Sequence, residues 1–403
     1  MKKIKVLETF SGIGAQNKAI KILNKNNKTK FEIVATCEWD ARAIITYSAM
    51  HDNLYNVTSQ ILEKYKLTNE KSINDFLKGK TFSLNSKKPS HVERKDLTFK
   101  KYLVAATLLQ NNQVDITQLD SKIIDAKKID LITYSFPCQG LSIANMGRAK
   151  GINDPKSTSS LVWQIYRVLK NANHKPKFLL MENVKNILSK KFLPEYNEWK
   201  KILRELGYKT FTTTLNGINH GSIQKRERVF ALSVLENLKI PFSTDEEYKE
   251  KLNSIANKLN QVKIRNKLES IFKSSPVDEI LDSLINATPS RIRMVKTAKN
   301  LNDNIKQERC VNTLTTKQDR IPNIGILDVN YSIANKLKYR FITPREAFMI
   351  MGFSSEDFDN IKTFHNLGIL TKESLYRQAG NSIVVDVLKD VFVLIKEIYE
   401  NNV

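Results

Sequence analysis

The chain reads as an α/β protein, one large domain followed by a smaller region of different composition. Three observations predict this. The first forty residues alternate strand, helix and strand. A glycine-bearing turn, Phe10-Ser11-Gly12-Ile13-Gly14, separates the first strand from the helix. A cysteine, Cys138, follows directly on the apolar run of residues 129–134.

Residues 4–8 are the first predicted strand, 15–23 the helix and 31–36 the second strand, a βαβ unit. The turn at 10–14 lets the backbone approach a ligand at a helix amino terminus, and Glu38 ends the second strand with Trp39 after it. An acid at that place can hydrogen-bond both hydroxyls of a ribose, and an indole offers a face to adenine. The third glycine of the dinucleotide fingerprint is missing, so a nucleoside cofactor without a pyrophosphate fits better than NAD. A tight turn with a capping acid and a core tryptophan is the plainer alternative.

From 47 to about 113 the chain becomes Lys- and Asn-rich, with short helical pieces, and is expected to be an insertion covering one edge of the sheet. Strands resume at 114–116 and 130–135. A helix is expected over about 159–169, then a buried strand at 178–181 that ends in Glu182-Asn183-Val184. A helix near 199–206 and strands at 208–215 and 229–235 complete the large domain. After Pro241 the strands stop, and 245–285 has apolar positions at helical spacing. Residues 287–320 carry Arg291, Arg293, Lys296, Lys299, Lys306, Arg309, Lys317 and Arg320 among Thr, Asn and Gln. That composition suits a surface touching phosphates and base edges, with a solvated charged face as the plainer alternative.

At 403 residues the chain can bury a large core and divide into two domains. Its formal net charge of +23 favours a polyanionic partner such as nucleic acid, although abundant Lys, Asn and Ile throughout point to a coding bias behind part of the excess. No apolar run approaches the roughly 18 residues that span a bilayer. The start runs into a strand instead of a secretory leader, so a cytoplasmic protein is expected. Cys37, Cys138 and Cys310 lie far apart, fitting neither a disulfide framework nor a zinc site, and no metal is expected. Cys138 stands out by position. A thiol at the carboxyl end of a parallel strand sits where α/β sheets place ligands, and a following helix amino terminus would lower its pKa. On its own, a buried structural cysteine is the commoner reading.

Taken in order, these segments resemble the C5-cytosine DNA methyltransferases of the bacterial restriction-modification type. The turn 10–14 looks like the family's cofactor turn, Glu38-Trp39 its ribose and adenine motif, and Asp115-Ile116 its adenine-amino contact. Pro137-Cys138-Gln139 is similar to the catalytic motif, Leu161 to a position lining the cofactor pocket, and Glu182-Asn183-Val184 to the Glu-Asn-Val motif. Gln224-Lys225-Arg226-Glu227-Arg228 resembles the Gln-x-Arg-x-Arg motif. Residues 309–315 resemble the segment that organises the recognition domain, and Gln378-Ala379-Gly380-Asn381-Ser382 the last motif, which returns to the cofactor site. The likeness spans nearly the whole chain except 47–113 and most of 240–305.

The resemblance implies an S-adenosylmethionine-dependent, Rossmann-like large domain over 1–238, a target-recognition domain over 239–325, and a segment 326–403 returning to the large domain. The implied cofactor is S-adenosyl-L-methionine, leaving S-adenosyl-L-homocysteine. It would be held by Phe10, Ser11, Gly12, Ile13, Gly14, Glu38, Trp39, Asp115, Ile116, Pro137, Leu161, Asn381 and Ser382. A Cys138 thiolate adding at cytosine C6 would break the ring's aromaticity and make C5 nucleophilic. Glu182, its pKa raised by burial in the closed site, would donate or share a proton at N3. Arg228 would hold O2 and steady Glu182, Arg226 would support the catalytic loop or a phosphate, and Asn183 would orient the 137–138 backbone. The base for the C5 proton stays open between an ordered water and a side chain. The target base must be flipped out of the duplex. The glycine-punctuated segment 142–157 is expected to be a mobile loop closing over it. Gln139, Ser142, Arg291, Arg293, Lys296 and Arg309 are assigned to DNA.

Double-stranded DNA is the implied partner, with a cognate restriction endonuclease acting independently, no membrane, and the protein itself a monomer. Three other readings stay open. An RNA (transfer RNA) cytosine-5 methyltransferase shares the fold, but the sizeable region after residue 240 argues against it. A catalytically silent DNA-binding homologue would not keep Cys138, Glu182, Arg226 and Arg228 together. An NAD-dependent oxidoreductase would leave the Pro-Cys-Gln and Glu-Asn-Val segments without a role.

Overall fold

The computed structural model describes residues 2–25, 28–141, 149–256, 261–318, 322–330 and 332–402. The chain forms two compact units, one of Met1–Leu215, Glu227–Ile255 and Lys389–Val403, the other of Asn216–Arg226 and Ala256–Leu388.

The first unit contains β1 (Lys3–Thr9), α1 (Ala15–Asn24), β2 (Lys30–Cys37), α2 (Ala41–His51), α3 (Leu54–Lys64), α4 (Glu70–Leu77) and α5 (Leu97–Leu109). It continues with α6 (Lys122–Lys127), β3 (Leu131–Tyr134), α7 (Val162–Asn171), β4 (Phe178–Val184), α8 (Leu193–Glu205), β5 (Tyr208–Asn216), β6 (Glu227–Leu235) and α9 (Asp245–Ile255). Its six-stranded sheet has the order β2-β1-β3-β4-β6-β5. The pairs β1 with β2, β1 with β3 and β3 with β4 are parallel, and β6 runs antiparallel to β4. Strand β3 is buried at every residue, which is why it reads as a continuous apolar run instead of an alternating one. On one face Leu7, Ile132 and Leu179 stand in register, and α7 and α8 cover them with Ile165, Leu169, Tyr196 and Trp199.

Strands β2 and β3 flank β1, so the connections leave β1 in opposite directions across the sheet. In open α/β sheets this reversal opens a crevice at the carboxyl ends of the strands. It collects the turn 10–14, Glu38-Trp39, the Cys138 segment and the end of β4 along one sheet edge.

The insertion is helical. Asp40 caps α2 by accepting from the backbone N–H groups of Arg42 and Ala43. Lys100, only 2 % exposed, ties α5 to α4 by donating to Glu70 Oε1 at 2.6 Å and Asn74 Oδ1 at 2.9 Å. The end of the insertion runs along the edge strand β2, where Asn112 bridges Thr36 and accepts from Glu38 N at 3.1 Å. Residues 114–116, expected as a strand, form a turn instead. The Asn112 carboxamide takes Val114 N at 2.8 Å, Val114 adopts φ 61°, and Asp115 caps Thr117. These local side-chain bonds compete with any ladder.

The second unit contains α10 (Gln261–Phe272), α11 (Val277–Asp282), β7 (Leu284–Asn286), α12 (Pro289–Thr297), α13 (Leu301–Lys306), β8 (Leu327–Asp328), β9 (Lys336–Arg340), α14 (Pro344–Ile350), α15 (Ser355–Asn366) and α16 (Lys372–Asn381). A small antiparallel sheet, β7-β9-β8, backs a core of Ile285, Ile326 and Phe341. Helix α14 starts on a Thr343–Glu346 capping box. The same Glu346 accepts both arms of the buried Arg340 at 2.7 and 2.8 Å. The chain re-enters the first unit within α17 (Val385–Glu400), whose Phe392 ring lies 5.2 Å from Phe31.

These limits differ from the expected 239–325 for the smaller domain. Helix α9 packs in the first unit because its Tyr248 is buried against Phe211 and Phe242, whereas residues 326–388 group with the second unit. No helix among the described residues is long and apolar enough to cross a membrane.

Candidate active site

The turn after β1 is built for close approach. Phe10 takes a left-handed φ of 53° held by its N–H on Cys37 O at 2.7 Å, and Gly14 lies at φ 78°. A Cβ on Gly14 would sit 2.7 Å from both Tyr47 and His51, so only glycine fits beneath α2. Glu38 links the turn to β2. Its Oε2 accepts Gly12 N at 2.9 Å, and its Oε1 accepts Trp39 N at 2.9 Å and Asp40 N at 2.8 Å. Loss of hydration pushes the Glu38 carboxyl up to about 7, with the Asp40 charge adding to the rise and the three amides opposing it. Glu8, fully buried at the end of β1, is pushed up to about 8 by burial, although Tyr47 donates to its Oε2 at 3.0 Å. Its Oε1 and the Ser11 hydroxyl are buried with no partner among the described residues.

Those two unsatisfied atoms, the glycine turn and the partly buried Glu38 and Trp39 fit a nucleoside ligand better than a solid core. Asp115 uses Oδ1 on Thr117 N and Thr117 Oγ1, at 2.9 and 2.7 Å, while its Oδ2 makes no hydrogen bond among the described residues. Ile116 and Ile13 are buried, and Leu161 packs partly buried on the main core. No cluster of three metal-ligating side chains occurs among the described residues.

Cys138 lies four residues beyond β3, half-buried, and is in no disulfide. Four groups clamp the backbone around it. Asn183 Nδ2 donates to Phe136 O at 3.0 Å. Ser159 Oγ donates to Pro137 O at 2.6 Å and accepts Gly140 N at 3.1 Å. Asn186 Nδ2 donates to Leu141 O at 2.6 Å, and Gly151 N donates to Gly140 O at 2.8 Å. A Cβ on Gly140 would lie 1.9 Å from Ser157 Oγ and 2.9 Å from Ser159 Oγ, displacing the hydroxyls that hold the turn. Residues 139–141 form a turn, so the helix start expected just after the thiol is absent there. Gln139 is exposed. Ser142 and the rest of 142–148 lie outside the described residues, as does Arg320. Residues 151–157, the described end of the segment expected to close over the base, make specific hydrogen bonds to α8 and α7. Glu195 Oε2 accepts Ile152 N at 2.6 Å and Asn153 N at 3.1 Å, and Trp163 Nε1 donates to Ile152 O.

The neighbouring strands bring in the charged pair. Met181 pairs with Tyr134, which puts Glu182 and Asn183 beside the segment leaving β3. Val184 pairs with Arg228, so Arg228 and Glu182 are diagonal neighbours on one face of β4 and β6. Arg228 Nε lies 3.3 Å from Glu182 Oε1, and the Glu182 side chain is 12 % exposed.

The other expected residues belong to the second unit. Arg226 is buried and donates to three main-chain carbonyls, Leu314 O at 2.9 Å, Gly380 O at 2.8 Å and Ser382 O at 3.0 Å. These three bonds make it a backbone-fixing residue. Gln224 acts likewise, donating to Ile350 O and accepting Leu314 N through its side chain. Asn381 ends α16, and Ser382 beside it caps that helix through its backbone N–H. Arg291 lays its guanidinium over Phe341 at 5.1 Å and so packs on the small core, while Arg293, Lys296 and Arg309 are exposed.

The sequence pattern of the C-5 cytosine-specific DNA methylases matches residues 77–397. The chain belongs to this family. It is 32% identical to the orphan methyltransferase M.SssI of Spiroplasma monobiae, over 97% of this chain and 96% of that protein. It is 30% identical to the type II methyltransferase M2.ScrFI of Lactococcus lactis subsp. cremoris, over 99% of each. The crystal structure of the Schizosaccharomyces pombe Dnmt2 methyltransferase superposes with a TM-score of 0.62 over 98% of each chain at 21% identity, a likeness of fold. The methylase family uses S-adenosylmethionine, and the cradle at the ends of β1 and β2 has the donors and acceptors to hold it.

The methylase carries functional groups that sequence reading passed over. Ser159 and Asn186 grip the Cys138 turn, and Tyr47 and Glu8 lie beneath the glycine turn 10–14. Only the Ser- and Thr-rich run 157–160 just before Leu161 hinted at the first of these.

Proposed function

We propose that this methylase is a DNA (cytosine-5-)-methyltransferase that flips a cytosine out of duplex DNA and methylates C5 through a covalent bond between Cys138 and C6. The observation that carries this reading is the arrangement on one sheet edge of a nucleoside cradle, a clamped cysteine turn and a Glu182–Arg228 pair. The family's name and the large positive charge support DNA as the substrate.

The chemistry assigns each residue a step. The Cys138 thiolate forms the S–C6 bond, and the π electrons of C5=C6 move toward C5 and N3. Glu182 holds a proton at N3 as charge gathers there, and Arg228 keeps Glu182 in place and faces O2. Asn183 and Ser159 fix the backbone on both sides of the thiol, so the sulfur meets C6 without a search over turn conformers. The bound cofactor supplies an electrophilic methyl group. Loss of the C5 proton to a base in the site then expels the thiolate, the S–C6 bond breaks, and aromaticity returns. Stacked cytosine exposes neither C5 nor C6 for such an approach, so base flipping is part of the proposal.

The test is to incubate the protein and a Cys138→Ala variant with S-adenosylmethionine and unmethylated genomic DNA, then map 5-methylcytosine at single-base resolution. Methylation at one short motif, absent with the variant, is the expected result. Unmethylated DNA together with methylated transfer RNA would overturn the DNA reading.

A further inference from the structure

The helical insertion 47–113 grips the corner between β2 and α2, the corner that carries Glu38 and Trp39, at two places. One grip is the loop 83–90. Ser83 is fully buried, and its main chain brackets the corner, its N–H donating to Trp39 O and its carbonyl accepting Ala41 N, both at 2.8 Å. Arg42 Nη1 donates to Leu84 O at 2.8 Å, and the Ser86 hydroxyl donates to Asp40 Oδ2. The other grip is Asn112, buried at the end of the insertion. Its Oδ1 accepts Glu38 N at 3.1 Å and its Nδ2 donates to Glu38 O at 3.2 Å, so one carboxamide holds both main-chain groups of the acid.

Both grips are themselves braced. Ser83 Oγ donates to Lys88 O at 2.7 Å, Leu84 N to Ser90 Oγ at 3.1 Å and Ser90 N to Phe82 O at 2.8 Å, which closes the loop on itself. Asn112 Oδ1 also takes Val114 N at 2.8 Å.

The orientation of the Glu38 carboxylate depends on this corner. Its Oε1 takes the N–H groups of Trp39 and Asp40, at 2.9 and 2.8 Å, so the carboxylate turns with the backbone that the insertion holds. Asp40 completes the link, one carboxylate oxygen capping α2 and the other accepting from Ser86. A strand-to-helix corner without such bonds has more than one conformation open to it, and each would place the carboxylate and the indole differently against the glycine turn. Binding groups held to within roughly 0.5 Å by supporting hydrogen bonds bind more tightly, because their ordering is completed on folding.

We propose that the insertion positions the cofactor site, with Ser83, Ser86 and Asn112 holding the 38–42 corner so that Glu38 and Trp39 meet the ribose and adenine of S-adenosylmethionine without rearrangement. These are positioning residues that act through Glu38 and Trp39. The proposal rests on the reading of those two as cofactor ligands.

The experiment measures, on the full chain, the Kd for S-adenosylhomocysteine by calorimetry, the KM for S-adenosylmethionine, the KM for DNA, and kcat at saturating cofactor. Ser86 sits at a left-handed φ of 59°, where glycine is unstrained, so Ser86→Gly removes the hydroxyl without straining the loop. Ser86→Gly and Asn112→Ala are each expected to raise the Kd and the cofactor KM about tenfold and to leave kcat and the KM for DNA within about twofold. Ser86→Gly added to Glu38→Ala is expected to raise the Kd by about threefold or less, because the group through which the loop acts is gone. A full further tenfold there would overturn the proposal. Wild-type affinity in both Ser86→Gly and Asn112→Ala, beside a weakened Glu38→Ala, would overturn it while leaving Glu38 as a cofactor ligand. So would a joint loss of kcat, both KM values and Tm, which is the mark of a merely structural insertion. Wild-type cofactor affinity in Glu38→Ala would overturn the cofactor reading and the proposal with it.

Discussion

Replacing Ser159 with alanine is expected to slow methyl transfer while leaving the cofactor bound as before. The hydroxyl is fully buried and joins two peptide groups that bracket Cys138, giving its proton to Pro137 O at 2.6 Å and taking one from Gly140 N at 3.1 Å. Alanine leaves a buried carbonyl and a buried N–H without partners, at about 1–3 kcal/mol each. The turn relieves part of that by shifting, and the shift moves the sulfur. If about 1.4–2.8 kcal/mol of the cost appears only in the transition state, kcat falls about 10- to 100-fold. Single-turnover transfer of a labelled methyl group to DNA reads this directly, and calorimetric titration with S-adenosylhomocysteine reads the cradle separately. Ser159→Gly leaves room for a water to bridge the same two groups and is expected to recover part of the rate. A wild-type single-turnover rate in Ser159→Ala would refute the positioning role, as would a loss matched by equally weakened cofactor binding.

Cofactor binding at the proposed cradle is expected to depend on pH. With the Glu38 carboxyl near 7 in the cofactor-free protein and ribose hydroxyls favouring its ionised form, the Kd for S-adenosylhomocysteine is expected to rise about tenfold per pH unit below 7 and to level off above 8. Glu38→Gln is expected to flatten that profile, and a flat wild-type profile would contradict the assignment. Glu8 acts on stability with the opposite trend. Its folded-state pKa of about 8 lies above its ordinary value of 4.5, so the folded state holds the extra proton between those limits and stability falls as pH rises through that window. Glu8→Gln is therefore expected to raise Tm relative to wild type at pH 8 and to match it near pH 5, as thermal melts at the two values will show. Arg226→Lys can serve only part of the fan of three carbonyls, and stability is expected to drop by about 2–4 kcal/mol, seen as a Tm lower by several degrees. An unchanged Tm would return Arg226 to the pool of ligand-binding candidates.

The parts of the site legible in the sequence are those written in short contiguous segments at strand ends. The glycine turn, Glu38-Trp39, the Cys138 tripeptide and Glu182-Asn183 each sit where a parallel strand stops, so strand recognition alone places them on one sheet edge. What escaped depends on partners far apart in the chain. The spacing of Gln224 to Arg228 marks a motif, yet the acceptors of Arg226 are carbonyls at 314, 380 and 382. Lys100 looks like a surface lysine until α4 supplies Glu70 and Asn74. Residues 114–116 have the apolar spacing of a strand, but the carboxamide of Asn112 and the carboxylate of Asp115 bend them into a turn. Arg291 reads as one of a row of DNA-facing cations, and only the fold places Phe341 beneath it.

The central claim, that the Cys138 sulfur bonds to C6 of cytosine, is tested most directly with a duplex carrying 5-fluorocytosine at the methylated position. Fluorine at C5 cannot leave as a proton does, so an adduct that has formed and been methylated stays closed. Incubation with S-adenosylmethionine, denaturation and mass analysis of the digested protein should find the DNA on the peptide containing Cys138, and none with Cys138→Ser. A cross-link on another residue, or ordinary methylation of normal cytosine by a protein that never traps the fluorinated base, would contradict it.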